Sequence, residues 1–330
     1  MAYIELSRSN YFHNLDLLSQ KSGGVDKLAV VLKDNAYGHG LWHMADLASE
    51  FGVTKAVVKN DAEADLIENL FDFILVLMPK CDSKYSQTIN SIEQLNSTKQ
   101  GSKVHLKIDS GMHRNGIDES QIREALELIE QKNLILEGVL THFRSSDDLS
   151  SDLFWQMKNW DRIKTKVSSL TKQKPLFHSL ASSSLIRSNM SDDFARCGIA
   201  TYGYSELDES FGSQDLKPVL TLYAEILSSK NLTKDKRVGY SGVGVLSQDT
   251  TVSTYDIGYG DGFFRYDGLG DFMIDNKMVV GRISMDSTSI LSDEKSVKFI
   301  GDAKEIARYF GTISYDVLVK LSPFIERRVL

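Results

Sequence analysis

The stretch Leu28-Ala29-Val30-Val31-Leu32-Lys33-Asp34-Asn35-Ala36-Tyr37-Gly38-His39-Gly40 decides the fold. Its apolar run reads as a buried strand closed by a lysine, and a helical pattern over 41–51 follows the glycines. A lysine at the carboxyl end of a parallel strand stands where α/β barrels place their chemistry. A lysine amine that is partly desolvated can lose its proton and attack a carbonyl, forming a Schiff base. Taken alone, Lys33 would be a solvated strand end and Gly38-His39-Gly40 a turn. The rest of the chain decides between these readings.

The same grammar repeats outward from this stretch. Strands are expected over 28–33, 55–59, 73–78, 104–108, 136–142, 175–180 and 196–202, and helices over 41–51, 62–70, 119–132 and 152–170. Such alternation predicts a parallel α/β architecture, and by itself leaves a barrel and an open doubly wound sheet both standing. After about residue 215 the pattern changes to strands over 219–227, 251–257, 271–274, 278–284 and 287–291, separated by turn signals. Helical pattern there is confined to about 303–310. The expectation is an α/β domain over 1–216 and a mainly antiparallel β domain over 217–330, with Lys217-Pro218 as the joint.

The chain has 330 residues, 42% hydrophobic and 25% charged, with a net charge of −7. That length suits one barrel-sized domain plus a smaller one. The acidic balance and the lack of a basic arm argue against a nucleic-acid or polyanion partner. Cys81 and Cys197 are far apart and have no metal spacing, so no metal is expected, and two cysteines suit a reducing compartment. Met1 to Glu5 alternate like a strand and lack the basic and apolar regions of a signal peptide. No apolar run reaches membrane-spanning length. A cytoplasmic protein without a membrane partner is expected.

Further motifs stand at the ends of the expected strands. Lys107-Ile108-Asp109-Ser110-Gly111-Met112-His113-Arg114-Asn115-Gly116 sets a guanidinium, suited to a planar anion, among glycines that make a plain surface salt bridge less fitting. His142 in Thr141-His142-Phe143 reads equally well as a satisfied barrel-mouth histidine. Phe177-His178-Ser179-Leu180-Ala181-Ser182-Ser183 is a serine cluster that suits a helix cap or a phosphate, since both use the same exposed N–H groups. Arg196-Cys197-Gly198-Ile199-Ala200-Thr201-Tyr202-Gly203 has a glycine that lets backbone amides approach an anion. The β domain carries Arg237-Val238-Gly239-Tyr240-Ser241-Gly242, Asp256-Ile257-Gly258-Tyr259-Gly260-Asp261-Gly262, Gly281-Arg282-Ile283-Ser284-Met285-Asp286 and Thr312-Ile313-Ser314-Tyr315-Asp316-Val317. Asp261 and Asp286 lack the spacing of a calcium loop.

In this order the motifs resemble those of alanine racemases, from Tyr3 to Arg328. The resemblance implies a pyridoxal 5'-phosphate (PLP)-binding (β/α)8 TIM-type barrel followed by the β domain. It implies that Lys33 holds PLP and is one catalytic base, and that Tyr240 is the other. It implies cofactor contacts from Tyr37, His142, Ser182, Arg196, Gly198, Ile199 and Tyr315, with His142 under the ring and Arg196 facing the pyridine nitrogen. Arginine does not protonate that nitrogen, which suits plain proton exchange over transamination. Arg114 would face the substrate carboxylate, Lys107 matches a lysine carbamylated in some members, and Tyr259 and Met285 would reach the partner's site in a homodimer.

Two departures from the family pattern stand out: Ala181 where asparagine is usual, and Ser241 where glycine is usual. The activity implied is interconversion of L-alanine and D-alanine, supplying peptidoglycan synthesis. The alternatives are a broader racemase of the same fold, acting on serine or basic amino acids, and a non-catalytic PLP-binding protein. Tyr315 with Met285 suggests a small substrate side chain. Tyr240, Tyr259 and the Ser284-Met285-Asp286 segment argue against the non-catalytic reading.

Overall fold

The structure is a computed structural model that describes residues 1–330. It divides into two compact units, one of Tyr11–Ala36 and Leu41–Lys217, the other of Met1–Asn10, Tyr37–Gly40 and Pro218–Leu330.

The first unit is a nearly closed parallel barrel. Its eight strands are Leu28–Val31, Lys55–Val58, Phe73–Val76, Ser86–Ile89, Lys103–Lys107, Ile135–Leu140, Leu176–His178 and Ala195–Cys197. Each pairs in parallel with the next as far as Leu176–His178, and Ala195–Cys197 pairs back onto Leu28–Val31. A single parallel bridge, Ala181 to Arg196, spans the remaining gap. Strands buried on both faces need continuous apolar runs, and Leu28–Val31 is buried at every position. Helix starts follow local chemistry: Asn60 accepts from the Glu63 amide (3.0 Å) and Ser91 from the Gln94 amide (3.1 Å), caps worth about 1 kcal/mol each.

Two expectations change here. Ser86–Ile89, with the sequence Ser-Gln-Thr-Ile, is a fully buried strand that hydrophobic patterning does not reveal. Only part of its polar chemistry is met: the Ser86 hydroxyl donates to Glu137 and Gln87 Nε2 to the Ser83 carbonyl, while Gln87 Oε1 and Thr88 Oγ1 are buried without a partner. The strand expected over 196–202 ends at Cys197, because the Thr201 amide bonds the Gly198 carbonyl (2.8 Å) and turns the chain.

The second unit is built on the long strand Leu220–Leu232. The sheet runs Thr288–Ile290, Thr250–Tyr255, Leu220–Leu232, Tyr3–Leu6, Glu326–Val329, with Ser296–Ile300 also on Leu220–Leu232. Tyr3 pairs with Tyr223 and, in parallel, with Glu326. The sequence reading grouped the first residues with the barrel; the Tyr-Ile-Glu-Leu alternation marks a strand but does not name its partner. Of the strands expected over 271–274 and 278–284, only Met273–Ile274 and Lys277–Met278 form. A second helix, Ser314–Val319, follows Ala303–Phe310. No helix is long and apolar enough to cross a membrane, and no group of three or more His, Cys, Asp or Glu side chains is placed to hold a metal ion.

Candidate functional site

Lys33 follows the barrel strand Leu28–Val31 and leads into an unusual turn. Asp34, Asn35, Ala36 and Tyr37 have φ of 53°, 56°, 51° and 52°, so four consecutive residues other than glycine are left-handed. Left-handed backbone costs roughly 1–2 kcal/mol per residue, least for Asp and Asn. The surroundings hold it. Glu63 accepts from the Asn35 amide (3.3 Å) and the Lys59 amide (2.8 Å), and Asn35 Oδ1 accepts from the Leu41 amide (2.8 Å). The Lys59 ammonium lies 2.6 Å from Asp34 Oδ1, and Lys33 Nζ lies 3.6 Å from Asp34 Oδ2. The turn sets the direction of the chain just after Lys33. Sequence patterning does not show it, because no glycine marks those four positions.

Lys107 ends the strand Lys103–Lys107, and its Nζ donates to Asn115 Oδ1 (2.6 Å). Burial and the positive charges of Arg114 and Arg196 bring its pKa down to about 8. The loop beyond it is tightly organised. Asp109 Oδ1 accepts from the amides of Gly111, Met112 and His113 at 2.8, 2.8 and 3.1 Å. The Asp109 amide bonds the Ile117 carbonyl, and the Ile117 amide bonds the Lys107 carbonyl. Arg114 stands exposed on this pinned loop. His142, just beyond Ile135–Leu140, is half-buried and has its pKa lowered to about 3. Burial is the main cause, followed by the positive charges of Arg196, Arg114, Lys107 and Lys33. His142 is therefore neutral near neutral pH and adds no positive charge to the site.

Ser182 lies beside the turn that follows Cys197. Its hydroxyl accepts from the amides of Gly198 (3.2 Å) and Ala200 (3.3 Å), while the buried Ile199 amide has no acceptor within the protein. At the usual asparagine position, Ala181 offers no capping side chain. There the Ser184 hydroxyl accepts from the Ala181 amide (2.8 Å). Arg196 is buried, donating to His178 Nδ1 (2.7 Å), the His178 carbonyl (2.6 Å) and the Thr141 carbonyl (2.8 Å). A guanidinium carries about five donors, so part of this one has no partner in the protein. Burial lowers its pKa to about 10, which leaves it charged at neutral pH. The adjacent Cys197 thiol is pushed up to about 12 by burial and is unreactive.

In the second unit, close backbone packing gathers the remaining motifs. A Cβ on Gly258 would lie 2.2 Å from the Met285 carbonyl oxygen, and one on Gly281 2.6 Å from the Val238 carbonyl oxygen. The Tyr259 amide bonds the Ser284 carbonyl (3.1 Å) and the Gly260 amide the Met285 carbonyl (2.8 Å), so Tyr259 and Met285 sit side by side. Arg282 Nη1 donates to Ser241 Oγ (3.1 Å), tying the Tyr240 loop to the same segment. Ser241 has φ 57°, the conformation for which glycine is the usual choice. Tyr240, Tyr259 and Met285 are exposed, at 64%, 39% and 54%. Elsewhere in this unit the rings of Tyr37 and Tyr315 lie 5.7 Å apart.

The sequence reading missed His105, Glu137 and the Lys59–Glu63 clamp. His105, two residues before Lys107 on the same strand face, was the available signal.

Comparisons with known proteins agree along the whole chain. The family model for the alanine racemase N-terminal domain matches residues 6–206, and that for the alanine racemase C-terminal domain matches residues 219–329. An alanine racemase of a Nitratiruptor species is 46% identical over 99% of both chains. One of Campylobacter concisus is 43% identical over 100% of both. Among solved structures, an alanine racemase of Clostridium difficile 630 superposes with a TM-score of 0.90 at 25% identity, covering 100% of this chain and 95% of that one. That of Bacillus anthracis, solved with bound L-Ala-P, gives 0.90 at 26% over the same shares.

Proposed function

The chain belongs to the alanine racemase family, whose members depend on pyridoxal 5'-phosphate, and we propose that it interconverts L-alanine and D-alanine by a two-base mechanism. The observation that carries this reading is the buried Arg196, whose charge has no carboxylate bonded to it and whose donor groups are only partly used. A pyridine nitrogen is an acceptor of the kind such an edge accommodates.

The barrel residues fit the cofactor in two further places. The buried Ile199 amide without an acceptor, with Gly198 and Ser182 beside it, suits a phosphate. Lys33, at a strand end with its backbone direction set by the left-handed turn, would hold the cofactor covalently through Nζ. His142, held neutral, would lie under the ring, and Tyr37 and Tyr315 would contact the phosphate end. When bound, the cofactor delocalises the charge left on an amino acid that has lost its α-proton.

The chain's own groups then divide the work. Lys33 Nζ takes and returns the α-proton on one face, serving D-alanine, and Tyr240 Oη does so on the other, serving L-alanine. Arg114 is exposed on its pinned loop to meet the substrate carboxylate. Lys107, brought down to about 8, is partly neutral near neutral pH. Its free amine can add to carbon dioxide, releasing one proton and leaving a carbamate anion to orient Arg114. Arg196 would donate toward the ring nitrogen of the bound cofactor and keep its own proton, which would favour proton return over transamination.

Tyr240, Tyr259 and Met285 are exposed on closely packed loops, which supports a homodimer in which they complete the partner's site. A small substrate fits the pairing of Tyr315 with Met285, and the D-alanine formed would serve peptidoglycan synthesis in the cytoplasm. The test is chiral separation of products after L-alanine, L-serine and L-lysine are each incubated with protein and PLP. D-alanine formed fastest, and lost in Lys33→Ala, supports the assignment. Faster turnover of serine or lysine makes it a broader racemase, and PLP bound without turnover makes it a binding protein.

A further inference from the structure

A line of buried polar side chains runs inside the barrel away from Arg196. Arg196 Nη1 lies 2.7 Å from His178 Nδ1, His178 Nε2 lies 2.8 Å from His105 Nδ1, and His105 Nε2 lies 3.2 Å from Glu137 Oε2. The Ser86 hydroxyl donates to the same Glu137 oxygen, and Lys103 Nζ stands 3.3 Å from Oε1. Both imidazoles are fully buried. We propose that His105 and Glu137 are positioning residues for Arg196, acting through His178 as a one-way chain of hydrogen bonds that holds the guanidinium in a single orientation.

The ends of the chain dictate its direction. A guanidinium can only donate and an ionised carboxylate can only accept. His178 Nδ1 must therefore accept from Arg196, which leaves the proton on its Nε2. That N–H donates to His105 Nδ1, and the remaining His105 proton, on Nε2, goes to Glu137. Both rings are thereby the Nε2–H tautomer, and every bond points from the arginine toward the carboxylate. A proton added to either ring would set two donors against each other. Burial and the Arg196 charge keep both histidines neutral, and the His105 and Ser86 hydrogen bonds outweigh burial to hold the Glu137 carboxyl low, at about 2.

The packing keeps the rings from turning. His178 stacks on Phe194 with ring centres 4.3 Å apart, and Phe73 meets His105 edge-on at 5.4 Å. Gly138, opposite His105 in the neighbouring strand, makes the room: a Cβ there would lie 2.1 Å from His105 Nδ1. With Nη1 committed to His178 and Nη2 bonded to Thr141, the guanidinium is held at both terminal nitrogens, and the donors that remain are fixed in place with it. This role rests on the proposed function, in which those donors meet the ring nitrogen.

The test is nitrogen-15 NMR of the PLP-loaded protein, labelled at histidine and arginine, with and without Glu137→Leu and Glu137→Gln. In the wild type His105 and His178 should both show an acceptor-type Nδ1 and a protonated Nε2, unchanged between pH 6 and 9, with slowly exchanging Arg196 Nη protons. Glu137→Leu removes the terminal acceptor and should mix the His105 tautomers, speed Arg196 exchange at least tenfold, and lower kcat for alanine about ten- to a hundredfold with KM little changed. Glu137→Gln, whose carbonyl still accepts, should restore most of each. An Nδ1–H tautomer or an imidazolium at either ring in the wild type overturns the proposal even if Glu137→Leu does not fold. So do wild-type Arg196 exchange and kcat in a folded Glu137→Leu. Failure to racemise alanine with the tautomers and Arg196 exchange as described would overturn the proposed catalytic role of Arg196, and with it the positioning role in catalysis, while leaving the hydrogen-bond chain in place.

Discussion

Arg196 and His178 are joined twice, because one guanidinium nitrogen donates to both the ring nitrogen and the main-chain carbonyl of the same histidine. Lysine cannot reproduce this fork with its bond to Thr141. Arg196→Lys should cost about 2–4 kcal/mol of stability, since it leaves buried acceptors unmet. It should also weaken PLP retention. Denaturant unfolding with a parallel PLP titration checks both, and wild-type values in each would contradict the role given to the fork.

Three histidines with lowered pKa values predict acid sensitivity with a definite sign. His142, His105 and His178 have pKa values lowered in the folded state, so below their unfolded value of about 6.5 the unfolded chain binds more protons. Stability is therefore full above that pH and falls as pH drops toward the folded pKa, by roughly 2 kcal/mol at pH 5 for His142, whose folded value is about 3, with losses of the same sign from His105 and His178. Glu137, held at about 2, adds a second loss from about pH 4.5 downward. Urea unfolding at pH 7.5 and pH 5 reads the first step, and an unchanged midpoint would rule it out.

Ser241 carries a left-handed backbone that glycine adopts without strain. Ser241→Gly should stabilise the protein by about 0.5–1 kcal/mol, less whatever the exposed Arg282 hydrogen bond contributes. A lowered melting temperature would show that the Arg282 contact outweighs the strain.

Gly258 lies against the carbonyl of Met285, with no space for a methyl group. Gly258→Ala should cost about 2–4 kcal/mol or push Tyr259 away from Met285. The expected kinetic outcome is a raised KM for alanine, measured alongside thermal unfolding. Wild-type stability and KM together would contradict the packing described.

Much of this was legible in the sequence, for identifiable reasons. Leu28 to Lys33 announced a buried strand closed by a lysine because parallel barrel strands are apolar throughout, and the motif glycines sit where backbones meet, as at Gly258 and Gly281. Ser86–Ile89 was hidden because three of its four buried side chains are polar, and only Ser86 finds a partner on another barrel strand. Tyr3–Leu6 was visible as a strand, but strand pairing between the two ends of a chain leaves no local mark. The left-handed turn after Lys33 was hidden because Glu63 and Lys59, distant in sequence, hold it where glycine would ordinarily be needed. The chain from Arg196 to Glu137 is likewise a property of register between strands rather than of any one motif.

The central claim is that Lys33 and Tyr240 act on opposite faces of one substrate, and proton exchange in deuterated water tests it most directly. Tyr240→Phe, loaded with PLP, should lose α-deuterium uptake from L-alanine by about 10²–10⁴-fold while uptake from D-alanine falls far less. Equal loss from both enantiomers would contradict the account.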